Sequence, residues 1–224
     1  MLFDGPALIS VFNDDFRAAL RGKTLVNTAS VTVDVSNHVA EQLQNAGGDF
    51  IEMPVSGSKT PAELGRLVGL IAGDAGVAER IRPCVEPITS AAIIYCSPIG
   101  YGLKTRCAVN LFLGNMTAAL AESFGLAAAP GLDLEAFGQV LDAGPMASAY
   151  TKIKIAKVLG QDWSPQASVR DCHNSTELIL KASREANATT PFAQLCNSVY
   201  RKAREAGLDE EDMIAVYKLF QLPR

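Results

Sequence analysis

Arg106 and Asn110 are the residues of this 224-residue chain whose types and spacing say most about chemistry. They stand four apart in a breaker-free stretch, Leu103 to Ala127, so a helix there projects both from one face. A guanidinium removed from water needs an anion or a set of acceptors, because its desolvation is otherwise uncompensated. Two readings of Arg106 are open. One is an ion pair within the chain, for which Glu122 or Asp142 would serve. The other is a carboxylate-binding and carbonyl-polarising pair formed with Asn110. A second candidate is the turn Ser56-Gly57-Ser58, just after a strand's carboxyl end, where open α/β sheets place their ligands. Its hydroxyls and close backbone amides could cradle a carboxylate, or it is an ordinary β-to-α loop. His38 and His173 have no second ligand at metal spacing, so no metal site is expected and both read as surface or core histidines. No nucleophile elbow or Ser-His-Asp order is present.

The elements that must position these residues change character near Ser97-Pro98-Ile99-Gly100. Before that point, short apolar runs read as strands: Leu25 to Thr28, Asp49 to Pro54, Leu67 to Ala72 and Ala92 to Cys96. Helical periodicity runs from Val35 to Ala46, ending at Gly47-Gly48, and from Val77 to about Ile88. A βαβ unit followed by two further strands predicts a parallel sheet. Beyond Tyr101 the pattern is helical almost throughout. The stretch from Leu103 to Ala127 is apolar nearly all round, which predicts burial. Pro130-Gly131 ends it, Asp133 caps a helix from Leu134 to Leu141, and Gly144-Pro145 stops that one. Two or three more helices follow, including Ser175 to Ala186 and Pro191 to Ala206, and a last one opens near Asp209 to Asp212. The expected domains are residues 1–98, α/β, and residues 99–224, all α.

Composition narrows the function classes. The chain is 48% hydrophobic with a formal charge of −4. It has no cationic block of the kind that phosphate neutralisation requires, so nucleic acid is not an expected partner. No run reaches the ~18 consecutive apolar residues of a membrane span, and Met1 to Pro6 does not read as a signal peptide. The expected location is the cytoplasm, which agrees with five scattered cysteines lacking CxxC spacing. The apolar breadth of the long helix predicts a homodimer or homotetramer.

The segment Pro54-Val55-Ser56-Gly57-Ser58-Lys59-Thr60-Pro61-Ala62-Glu63, with Gly65 and Ala72-Gly73-Asp74, resembles the substrate loop of the β-hydroxyacid dehydrogenase family. Gly100-Tyr101-Gly102 followed by Arg106 and Asn110 is similar to that family's catalytic helix, and the likeness continues through Arg201 to Leu208 and Asp212 to Tyr217. Within the family the likeness is greatest to the glyoxylate/succinic semialdehyde reductases, with 3-hydroxyisobutyrate dehydrogenases a step away. The resemblance implies the C-terminal remnant of a Rossmann-type parallel sheet, then a helical domain like that closing 6-phosphogluconate dehydrogenase. It also implies hydride transfer between NADPH, or NADH, and a small aldehyde, 2-oxo acid or 3-hydroxy acid. By position, Ser56, Gly57 and Ser58 fall on the substrate-carboxylate loop and Asn110 on the substrate-orienting amide. Ser30 falls beside the nicotinamide, where a threonine is usual.

Three departures stand beside the likeness. The family's catalytic lysine falls on Arg106, and arginine is a poor general acid because it holds its proton above pH ~12. Lys104 does not replace it, since a residue two positions away points about 160° around the helix; the proton would come from water or Tyr101. The family's Lys-Asp pair near the cofactor falls on Asn174 and Ser175. Finally, the 224 residues contain no Gly-x-Gly-x-x-Gly phosphate loop. The expectation is therefore a chain lacking most of the N-terminal Rossmann half, either shortened or completed by another chain. The alternative to an oxidoreductase is a catalytically impaired relative that binds a small carboxylate or acts as an oligomeric scaffold.

Overall fold

The computed structural model describes residues 5–221. The chain divides into two compact units, residues 1–108 and 109–224. The first contains α1 (Gly5–Val11), α2 (Asp14–Ala19), β1 (Thr24–Asn27), α3 (Val33–Asn45), β2 (Asp49–Glu52), β3 (Val55–Ser56), α4 (Lys59–Glu63), β4 (Val68–Gly73), α5 (Ala75–Val85) and β5 (Ala92–Tyr95). It also holds the opening turns of α6 (Tyr101–Ala128).

Side chains on β2 alternate between two cores, as a pleated strand requires. Phe50 joins Leu8, Phe12, Val39, Leu43 and Leu103 on one side of the sheet. Its neighbour Ile51 joins Met53, Ile71, Val77, Ile81 and Val85 on the other. Helices begin where capping side chains satisfy their free amides. Thr32 Oγ1 accepts from the Val35 N–H, so α3 opens at Val33 rather than Val35. Asp74 likewise caps α5 through the Val77 N–H at 2.9 Å.

The sheet is mixed rather than wholly parallel. β1 pairs with β2, and β4 with β5, in parallel, but β4 runs antiparallel to both β2 and β3. A parallel return needs a full crossover, and the chain between β3 and β4 holds only the five-residue α4. It turns back as a hairpin instead.

The second unit packs the rest of α6 with α7 (Leu134–Ala143), α8 (Ala149–Leu159), α9 (Val169–Glu185), α10 (Pro191–Glu205) and a 3₁₀ helix, Met213–Phe220. Leu120, Phe124, Ile155, Val158, Val169, Tyr200, Ile214 and Val216 form its core. Asp133 caps α7 as expected, accepting from the Glu135 and Ala136 amides. Helix α9 opens at Val169, six residues before Ser175, because Ser168 and Asp171 form a capping box there. The last helix begins only at Met213. Its cap, Asp212, is fully buried and accepts from the Lys154 ammonium at 2.6 Å.

Helix α6 is not buried all round. Leu120, Ala121, Phe124 and Ala127 are in the core, whereas Phe112 and Leu126 are 71% and 76% exposed. By length and composition it could cross a membrane, although no run of 18 consecutive apolar residues exists in it. Its packing into this core is that of a globular domain's central helix. None of the five cysteines, all among the described residues, forms a disulfide.

Candidate functional site

The start of α6 is fastened to the end of β2 by one carboxylate. Glu52 is fully buried, and its Oε1 accepts from the Leu103 N–H at 2.9 Å while Oε2 accepts from the Gly100 N–H at 3.0 Å. The buried Ser36 hydroxyl on α3 donates to Oε2 at 2.5 Å. The first-turn amides of a helix carry partial positive charge and lack intrahelical acceptors, so an anion there is stabilised without a cationic partner. Gly100 reaches this position with φ +91, in the left-handed region that favours glycine. At Gly102 a Cβ would lie 2.7 Å from the Leu70 carbonyl oxygen, 2.9 Å from Glu52 Oε1 and 3.3 Å from Pro54 Cδ. The Gly-x-Gly pair is therefore a docking device: one glycine turns the chain, and the other lets the helix lie directly on the carboxyl end of the strand.

Arg106 is one turn beyond Gly102 on the same helix face. Its Nε is buried with no hydrogen-bond partner, and no ion pair within its unit neutralises it among the described residues. Glu122, sixteen residues farther along α6, is about 24 Å away and out of reach. Asp142 Oδ1 is itself buried without a hydrogen bond. Burial draws the guanidinium pKa below its ordinary value, yet an arginine remains a cation. On the next turn, in the second unit, Asn110 Nδ2 donates to Ser175 Oγ at 2.9 Å while its Oδ1 is buried and unbonded. Arg106 thus has an unused cationic donor in the first unit, and Asn110 an unused amide acceptor in the second.

The serine turn lies in the first unit. Ser56 ends β3 opposite Val68 of β4. Gly57 has φ +135 and packs against Leu67, where a Cβ would come within 2.6 Å of Cδ2. Ser58 opens α4 without a side-chain cap bond. Neither serine hydroxyl is engaged by the protein among the described residues, and the turn follows Pro54, the residue that Gly102 approaches.

The other expected residues are more dispersed. Ser30 is exposed just past β1, and Asn174 is exposed on α9 beside Ser175. Lys104 points outward with its ammonium 4.7 Å from the Tyr101 ring centre. Tyr101 is half exposed and lies about 140° around the helix from Arg106, so it is not a proton source on that face. His38 is exposed, while His173 contacts Arg204 and Glu177. Among the described residues no group of three His, Cys, Asp or Glu side chains could hold a metal. Sequence reasoning overlooked Glu52; the available signal was an acidic residue set between the apolar pairs Phe50-Ile51 and Met53-Pro54.

Residues 100–220 match the family described as NAD-binding of NADP-dependent 3-hydroxyisobutyrate dehydrogenase, and residues 1–100 match the NAD binding domain of 6-phosphogluconate dehydrogenase. Over its whole length the chain is 30% identical to glyoxylate/succinic semialdehyde reductase 1 of Arabidopsis thaliana and spans 78% of that protein. The chain belongs to the β-hydroxyacid dehydrogenase family. The fold agrees: 3-hydroxyisobutyrate dehydrogenase of Salmonella typhimurium superposes with a TM-score of 0.88 at 21% identity, covering 97% of this chain and 76% of that one. A different kind of relative is the human cytokine-like nuclear factor N-PAC, 28% identical over 89% of this chain and 36% of its own length.

β-Hydroxyacid dehydrogenases use a nicotinamide nucleotide, and the carboxyl end of β1 holds an unpartnered polar atom that such a group could meet. Asn27 is buried, its Oδ1 accepts from the Ala29 N–H at 3.1 Å, and its Nδ2 is buried without a partner. Ser30 stands three residues farther on. The 224 residues themselves hold no glycine-rich phosphate loop.

Proposed function

We propose that this chain is an oxidoreductase that reduces a small aldehyde or 2-oxo acid bearing a carboxylate. The unused Arg106 Nε and the unused Asn110 Oδ1, four residues apart in the sequence of α6, carry the reading, because a buried donor and a buried acceptor left unpaired each cost stability unless a ligand completes them. NADPH, or NADH, would supply the hydride when bound, held by Asn27 and Ser30 at the nicotinamide end and by Asn174 elsewhere. The Ser56 and Ser58 hydroxyls and the Gly57 amide hold the substrate carboxylate. Asn110 orients the substrate, fixed in turn by Ser175. Arg106 stabilises negative charge growing on the carbonyl oxygen without giving up a proton; that proton comes from water. The protein works in the cytoplasm as a homodimer or homotetramer through the exposed apolar side chains of its helical unit, among them Phe112, Leu126, Phe192 and Leu195.

Arginine at position 106 and the likeness to N-PAC favour a second reading, a non-catalytic relative that binds a small carboxylate or serves as a scaffold. Fluorescence titration with NADPH and NADH separates the two, followed by turnover assays with glyoxylate and succinic semialdehyde. Saturable NADPH binding with measurable turnover supports the enzyme. Tight binding of glyoxylate without nucleotide binding supports the second reading.

A further inference from the structure

We infer that Glu52 is the positioning residue of this site: it sets the register of α6 against the end of β2 and so aims Arg106 past Pro54. Three observations converge. Glu52 has no solvent exposure and no cationic partner among the described residues, so the helix start is what compensates its charge. Its two oxygens divide the work, Oε1 taking the Leu103 amide and Oε2 the Gly100 amide and the Ser36 hydroxyl. The contact joins α3, β2 and α6 at one point, and there is little slack at Gly102, where even a Cβ would come within 2.9 Å of Glu52 Oε1 and 2.7 Å of the Leu70 carbonyl oxygen. Arg106 is one helical turn from this anchor, so a shift of the helix start is carried directly to the guanidinium.

Both carboxylate oxygens face backbone N–H donors. Glutamine is the same size but offers an amino group on one side, which must meet an N–H of Gly100 or Leu103 donor against donor. Glu52→Gln therefore breaks the anchor without emptying its volume. Ser36→Ala, by contrast, leaves both amide bonds in place.

The functional part of this inference rests on the oxidoreductase reading, so the test has two arms. In the intact chain, amide hydrogen exchange of Glu52→Gln is expected to speed up at least tenfold at Gly100 to Arg106 and to stay unchanged in α5, whose Asp74 cap is independent of Glu52. Exchange that is unchanged at α6, or that rises throughout the unit, overturns the anchor. In the activity arm, Glu52→Gln should lower kcat by at least tenfold with NADPH affinity within threefold of the parent. The double variant Glu52→Gln/Arg106→Ala should be no slower than Arg106→Ala alone, since Glu52 acts through that residue. Multiplying losses overturn the positioning role. If Glu52→Gln does not fold, Glu52→Asp answers the same questions with smaller changes in the same direction. A parent chain without turnover defeats the oxidoreductase reading alone, and the exchange arm still decides the anchor.

Discussion

Arginine in place of lysine changes what the residue can do while preserving its charge. A buried lysine can be tuned toward neutrality and give up a proton; a guanidinium cannot, so Arg106 is confined to electrostatic stabilisation. Two outcomes follow for protein that binds nucleotide. Arg106→Lys should raise kcat about tenfold at neutral pH, because general acid catalysis typically contributes 10²–10⁴-fold; steady-state kinetics measure it. No gain would exclude a lysine-type role at this position. The pH profile should change as well. With Arg106 the rate stays flat on the basic side, whereas the lysine variant loses activity as pH rises through the new amine's pKa. Arg106 and Asn110 were legible because a four-residue spacing on a breaker-free helix is a local signal. Glu52 was not, because its partners Gly100 and Leu103 lie about fifty residues away and nothing near Glu52 in sequence announces them.

Elements were readable to the extent that their ends carry side-chain chemistry. The Asp133 cap is a plain sequence signal, and Asp133→Ala should cost about 1 kcal/mol in chemical denaturation. Helix α8 went without definite bounds because Ala149 to Leu159 lacks a clear apolar stripe, although Ser148 and Thr151 cap it reciprocally. Strand direction was hidden too: Val68 to Ala72 is a continuous apolar run, which reads the same in a parallel or an antiparallel pairing. On α9, burial lowers the His173 pKa, with Glu177 opposing that shift and Arg204 and Arg201 reinforcing it, while Asp209 opposes it again. The unfolded chain then takes up the proton first as pH falls through about 6.5. The stability present above that pH is lost progressively below it. Thermal unfolding should show this decline between neutral and mildly acidic pH, and His173→Asn should flatten it.

At the scale of the whole molecule, each unit has its own core, and the helical one is closed by a buried ion pair. Lys154 and Asp212 are 1% and 0% exposed, and Asp212 also accepts the Gln166 and Ile214 amides. Asp212→Ala strands a buried ammonium and should cost about 3–5 kcal/mol, more than Lys154→Met, which leaves Asp212 its two amide donors. In the first unit, β1 forms one edge of the sheet among the described residues. The account as a whole depends on Arg106 acting on a substrate that bears a carboxylate beside its carbonyl. The most direct test is kcat/KM for glyoxylate with saturating NADPH, measured for the parent chain and for Arg106→Ala. The account predicts measurable turnover that falls at least 100-fold in the variant while NADPH still binds. Equal turnover in the two proteins, or none in a parent chain that binds NADPH, would contradict it.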